Sequence, residues 1–329
     1  MPTTLRALFV VVAIVVVAFG IVPYAWQLLQ SSVTGSTSAG NANDRRPEEP
    51  TPAARAYGPP LLRGRTLSPF VVESSGLAAS RTSERVLWTH NDSGGGPYLY
   101  CINLDGRPCG VWRVVGAEAV DWEDMAAGRG PEQGRSYLYI GDIGDNESRR
   151  DEITVYRIPE PAVTGRARSP TERAPMETAP AVPLTLRYPD GAHDAESLLV
   201  HPKTGDIYIV TKVFFGPAAV YRTTAPGRDA GVVKLERVAS ISAPGGTGFF
   251  TAGDIAPGGR RLVLCDGLGG LELELPGDER FDSIWRQPPH EVALGPAVQR
   301  EAVAYSRSGN SLFTTSEGRR PPLYELQKK

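Results

Sequence analysis

The 329-residue sequence is short of methionine (3), histidine (4) and cysteine (3), and carries only 5 lysines against 30 arginines. The lysine deficit is a compositional bias with no site information. Net charge is −2, so no basic field points to nucleic acid, and none is expected as a partner. No paired His/Cys spacing is present, which argues against zinc. No nucleophile elbow, P-loop or Rossmann fingerprint occurs in its proper context, Ser75 within ESSGL included. Beyond the N-terminus no run has apolar residues at a 3.6-residue period, which excludes a chain built on long helices. What remains is rich in turns, with 36 Gly and 29 Pro. Short β-rich runs lie between them, and the composition reads as all-β.

Ala7–Val22 is an uncharged apolar run preceded by Arg6, and Tyr24 and Trp26 prolong it toward Leu29. A secretory core is usually only ~7–15 residues, whereas a spanning helix needs ~20. A transmembrane or signal helix over residues 1–29 is therefore expected, with the anchor favoured over a peptide cleaved near Thr37-Ser38-Ala39. The lone Arg6, with no further basic residue until Arg45, orients the rest outward. The expected placement is single-pass in the cell membrane through residues 7–29, with the main domain extracytoplasmic; a secreted protein is the alternative. Gln30–Pro60 has almost no large apolar residue and reads as a disordered linker.

From Leu61 to the end, one pattern recurs: a polar or acidic residue, a short apolar strand, a glycine turn, a second strand, a polar exit. It begins at Ser74, Val120, Asp194, Thr251 and Arg300. The anchors Ser75, Glu123, Glu196, Gly253 and Glu301 are 48, 73, 57 and 48 residues apart, and the longest interval contains the Pro/Arg/Ala-rich insertion Pro161–Val182. Such repeats predict a β-propeller of four-stranded blades over 61–329, with five blades fitting best and six possible. The last repeat is one strand short, so Leu61–Val72 is expected to close the ring beside Leu323–Leu326. Cys101 and Cys109 straddle the hairpin pair Asp105-Gly106 and suit a cross-hairpin disulfide, two unpaired thiols being the alternative. Cys265 reads as a core residue.

In a propeller the first strand of each blade lines the channel, and the start of strand one and the end of strand two open on one face. Ser75, Glu123, Glu196 and Glu301 are thereby expected around one mouth. The loops His90–Gly95, Gly141–Asn146, Thr211-Lys212, Cys265–Gly270 and Thr315–Gly318 ring it. Converging carboxylates repel one another, and a hard divalent cation, calcium, resolves this with oxygen ligands. Alternatively the glutamates bond backbone amides of the next blade and need no metal. Asp121 and Asp124, flanking Glu123, are expected to point elsewhere, in turn or capping roles. His90 and His193 lie near the mouth, His201 at the opposite end, and His290 is unplaced.

At these strand starts the sequence resembles the secreted calcium-activated nucleotidases (apyrases), five-bladed propellers around one calcium. SSGLAAS, WEDMAAG, AESLLV and REAVAY carry the likeness, which implies ligation by Ser75, Glu123, Glu196 and Glu301; the fourth repeat departs, offering Thr251, Gly253 or Asp254 instead. It is also similar to the phytase-associated esterase-like propellers. Two functions follow. One is an anchored propeller with a calcium-stabilised channel, expected as a monomer, binding a small molecule, glycan or protein at its acidic mouth. The other is a calcium-dependent hydrolase of a phosphoester or ester, with Asp92, Asp142 or Asp145 as candidate base, Lys212 or Arg300 holding an anion, and His90 as a further catalytic candidate at the mouth.

Overall fold

The structure, a computed structural model, describes residues 56–163, 171–224, 226–227 and 230–329. Five β-sheets follow one another along the chain, each beginning with a strand whose far side is unpaired. Blade one runs through Ser74–Ala79, Val86–Asn91, Tyr98–Asn103 and Pro108–Arg113. Blade two has Trp122–Arg129, Ser136–Asp142, Ile153–Pro159 and Val182–Arg187. Blade three has Ala195–Val200, Ile207–Thr211, Ala218–Thr223 and Glu236–Ile241, and blade four Ala252–Ile255, Arg261–Cys265, Gly270–Glu274 and His290–Val292. Blade five has Arg300–Tyr305, Ser311–Ser316 and Pro322–Gln327, and Leu61–Arg65 adds antiparallel to the last of these, Leu61 opposite Glu325. The ring is thus closed by N-terminal chain, and five blades are formed rather than six.

The inner two strands of every blade are nearly all buried, because their alternate side chains enter the seams on both sides of the sheet. Each seam has its own apolar cluster. Trp88 and Trp112 of blade one meet Trp122 and Met125 of blade two; Tyr139 and Val155 meet Leu198 and Ile209 of blade three. The remaining seams hold Tyr208 with Leu262, Val263 with Leu312, and Phe313 with Leu87. Five separate seams with no common centre leave the axis to polar groups.

In detail the structure adds to some expectations and meets others. The insertion within blade two, between its third and fourth strands, contains a short strand: Met176–Glu177 runs parallel to the outer strand of blade one, opposite Trp112 and Arg113. Val233–Lys234 does the same for blade two. Both cover an outer edge that would otherwise offer unpaired amides. Blade four's last strand is only three residues, and Phe281–Arg286 before it forms a 3-10 helix. Cys101 and Cys109 are bonded, with Cα atoms 5.0 Å apart, and Cys265 is a buried free thiol.

The expected N-terminal helix, and with it the membrane anchor, the single-pass placement and the membrane as partner, finds no support in the described residues. Among the described residues no helix is long and apolar enough to cross a membrane. The six-residue 3-10 helix is the only helix there. Ala7–Leu29 and residues 30–55 of the expected linker lie outside the described residues.

Candidate metal centre at the channel mouth

A single irregularity builds the site. In four blades the innermost strand carries a β-bulge where it leaves the mouth: the register slips between Ser75 and Leu77, Trp122 and Asp124, Ala195 and Ser197, and Arg300 and Ala302. The extra residue is Gly76, Glu123, Glu196 and Glu301 respectively. A bulge re-aims one side chain and leaves its neighbours in register. Three glutamates are thereby turned toward one another, while blade four pairs regularly through Ala252 and Gly253 and contributes none. In blade one the equivalent of Glu123 is Gly76, not Ser75. Its φ of +77° suits glycine, and a Cβ there would stand 2.7 Å from the Met125 amide. Ser75 lies one residue earlier, and its hydroxyl donates to the Glu123 carbonyl.

The glutamates share a mouth but take different partners. Glu196 receives the ammonium of Lys212, which Phe249 covers with its ring centroid 4.8 Å away. The carboxyl of Glu301 stands beside that of Glu317. Glu123 faces Asp121 and Asp92, and one carboxylate oxygen from each of these three lies within 4.8 Å of the others. The calcium-stabilised channel set is corrected accordingly: Lys212 is the cation between the glutamates, and the metal-competent group is Asp92, Asp121 and Glu123, to one side.

Charge is strongly unbalanced here. Asp92, Asp121, Glu123, Asp194, Glu196, Glu301 and Glu317 feel one another, opposed by Lys212 at Asp92 and the glutamates Glu123, Glu196 and Glu301 and by Arg150 at Asp121. Burial first, then Asp92 and Asp194, push Asp121 up to about 6. Burial, followed by Glu196, raises Glu123 well above the usual carboxylate range. Burial takes Glu196 to about 8 against the pull of Lys212. Lys212 itself is raised, its carboxylate neighbours overcoming its burial.

The other candidates are occupied. Asp142 accepts the amides of Val120 and Asp121 at 3.1 and 3.2 Å and pairs with Arg150 at 2.8 Å, fixing the loop that presents Asp121. Asp145 accepts the Arg150 amide at 2.7 Å, and its own amide donates to Asp194 at 2.9 Å. His90 is buried against Trp122, its Nδ1 2.9 Å from the Asn91 carbonyl, and burial lowers it to about 4, so it is neutral and away from solvent. Arg300 is buried, its guanidinium donating to the carbonyls of Asp266 and Gly295 rather than facing an anion. His193 contacts Asp190 and Tyr221, and His201 bonds Thr204 at the far end.

Two groups were misjudged from sequence. Asp121 belongs to the cluster, and the signal was present: residues two apart in an extended chain share a face, and Asp121-Trp122-Glu123 recurs as Asp194-Ala195-Glu196. Asp124 bonds amides of other blades, the role foreseen for the glutamates. It accepts from Leu198 of blade three at 2.9 Å, Gly253 of blade four at 3.0 Å and its neighbour Met125 at 2.8 Å. Asp254 repeats this toward Tyr305 of blade five at 2.8 Å.

No family model matches the chain, and no curated protein matches it. Among solved structures, a gluconolactonase from Xanthomonas campestris, described as important in glucose secondary metabolic pathways, is 13% identical. It covers 84% of this chain and 99% of its own, with a TM-score of 0.44. No link to the calcium-activated nucleotidases is shown; the five-bladed propeller rests on the strand topology.

Proposed function

We propose that the protein is a metal-dependent hydrolase of an ester or phosphoester, working at the channel mouth with calcium held by Asp92, Asp121 and Glu123. The observation that supports this is the approach of three carboxylate oxygens to within 4.8 Å of one another. Calcium–oxygen bonds are about 2.4 Å, so ligands on opposite sides of one ion stand about 4.8 Å apart. The donors are all hard oxygens, which suits calcium and does not suit zinc. A cation would also relieve the burial and repulsion that raise all three groups.

Bound there, the ion supplies Lewis acidity toward a carbonyl or phosphoryl oxygen and toward water. The chain's own groups arrange the rest. Gly144 packs against the Glu123 and Asp121 carboxylates, where a Cβ would displace both carboxylates from their present positions. Asp142 and Arg150 hold the Asp121 loop. Lys212 places a positive charge beside the cluster, suited to a developing oxyanion. Glu301 and Glu317 stand at the same mouth, and burial first, then nearby acids, raise both.

The test is hydrolysis by the full-length protein of nucleotides, aryl phosphates and carboxylic esters, with calcium, with magnesium and with chelator. Calcium-dependent turnover that Asp121→Asn abolishes is expected. Turnover unchanged by chelator, or retained in Asp121→Asn, removes the reading.

A further inference from the structure

The three most exposed large apolar side chains among the described residues are Phe215, Val298 and Leu268, at 93%, 92% and 89%. Single exposed apolar residues are ordinary. These three share an address. Phe215 is in the turn leaving the second strand of blade three, Leu268 in the same turn of blade four, and Val298 just before the first strand of blade five. By the alternation of strand direction, all three turns open on the face that carries the acidic mouth, in consecutive blades.

The apolar surface continues to the charged site. Lys212 lies under Phe249, the Phe249 ring is 4.9 Å from Phe214, and Phe215 follows it in the chain. The turns behind it are braced. Asp266 accepts the amides of Leu268 and Gly269 at 2.7 and 2.8 Å, folding the turn under the Leu268 tip. The buried Arg300 guanidinium then joins the Asp266 carbonyl to the Gly295 carbonyl, tying the Leu268 turn to the segment that bears Val298. A buried guanidinium that donates to both loops fixes the Leu268 turn and the Val298 segment relative to each other. Exposed apolar groups on rigid supports mark a contact surface.

We propose that Phe214, Phe215, Phe249, Leu268 and Val298 form the docking wall for the apolar arm of an uncharged carboxylic ester, whose ester group then lies at the acidic cluster. This rests on the hydrolase reading and narrows its substrate class. The charge balance favours an uncharged occupant: the acidic groups of the mouth, Asp92, Asp121, Glu123, Asp194, Glu196, Glu301 and Glu317, outnumber the cations Lys212 and Arg150 beside them, which disfavours phosphoesters and anionic lipids relative to a neutral ester. In the reaction the oxygen of water bonds to the acyl carbon and the bond from that carbon to the alkoxy oxygen breaks. The water proton passes to the departing alkoxide, giving a carboxylic acid and an alcohol.

Binding of N-ethyloctanamide and N-ethylbutanamide, unreactive isosteres of such esters, to the calcium-loaded full-length protein tests the wall, read by ligand-observed NMR. Each buried methylene is worth about a factor of four, so the octanamide is expected to bind at least roughly tenfold tighter even when its arm is only partly covered. Phe215→Ser and Leu268→Ser, both at exposed positions, should together bring the two ligands within about twofold while leaving the melting temperature unchanged. Equal binding of the two amides, or a preference that survives the double variant, overturns the wall. Tighter binding of octyl phosphate than of the octanamide overturns its selectivity for neutral arms. Phe215-dependent pelleting with phosphatidylcholine vesicles, without a chain-length effect on amides, assigns the surface to a membrane instead. A chain-length effect with no calcium-dependent hydrolysis keeps the wall and removes the hydrolase; calcium-dependent hydrolysis indifferent to chain length does the reverse.

Discussion

The innermost strand of each blade has a sheet neighbour on one side only, so its other edge faces the axis with unpaired amides. Buried unpaired amides are costly, and Asp124 answers two of them across blades, at Leu198 and Gly253, besides its neighbour Met125. Asp124→Ala should therefore destabilise the propeller severely. Each orphaned buried donor costs about 1–3 kcal/mol. With three donors lost and some relaxation, a total of about 3–6 kcal/mol is expected. Removing the charge also ends repulsion with Asp254, but that repulsion is the smallest influence on Asp124 and does not reverse the sign. Stabilities of about 5–15 kcal/mol leave little margin for such a loss. For a domain of this size it corresponds to a fall in melting temperature on the order of 10 °C. Asp124→Asn keeps one accepting oxygen but turns an NH2 group toward an amide donor, so it should fall between wild type and alanine. Thermal and urea unfolding, followed by circular dichroism in the same buffer, give the comparison. A melting temperature for Asp124→Ala within about 2 °C of wild type would refute the argument, since the cross-blade bonds would then carry no net energy.

Three further outcomes follow from the site and its surroundings. Calcium at 100-fold over its Kd should stabilise the fold by about 2.7 kcal/mol, chelator should reverse this, and Asp121→Asn should abolish it; a melting curve indifferent to both additions counts against the centre. Gly144→Ala should eliminate the calcium shift, because its Cβ would overlap the Glu123 carboxylate and stand 2.6 Å from Asp121 Oδ2; a full shift in that variant, followed by calorimetry, would show that the loop gives way freely. Burial raises Asp254 from 3.8 to about 6, so the folded state holds its proton more tightly than the unfolded chain. That contribution is complete below about pH 4 and lost as pH rises through about 6, at most about 3 kcal/mol, and Asp254→Asn should flatten urea-derived stability across this window; an unchanged slope would refute it.

The architecture was legible because it depends on repetition. Five polar strand starts, each followed by a glycine turn and a β-rich strand, suffice to count the blades, and the strand missing at the end points back to Leu61 for closure. The placement of side chains was less legible because it depends on a slip of one residue. Ser75 and Glu123 were matched by position before an apolar run, but the bulge makes Gly76 the counterpart of Glu123 and leaves Ser75 to bond its carbonyl. Lys212 pairs with Glu196 rather than standing free for an anionic substrate, and nothing local to Thr211-Lys212 shows that Glu196 sits across the hairpin within reach of its ammonium.

The same slip explains why two consecutive acids do different work. Without a bulge, Glu123 and Asp124 would face opposite sides of the blade, each into an apolar seam where a carboxylate is not tolerated. With it, Glu123 leaves the ladder and turns to the mouth. Asp124 keeps its place opposite Gly141, and its carboxylate reaches the amides of Leu198 and Gly253. A site that gathers like charges needs strands held together against their repulsion. Here the residue that fastens them is covalently next to one that repels. Tightening the ring and presenting the metal ligand thus depend on one backbone feature. A substitution that removes the bulge should lose both together, whereas Asp121→Asn, outside the bulge, should lose the metal alone.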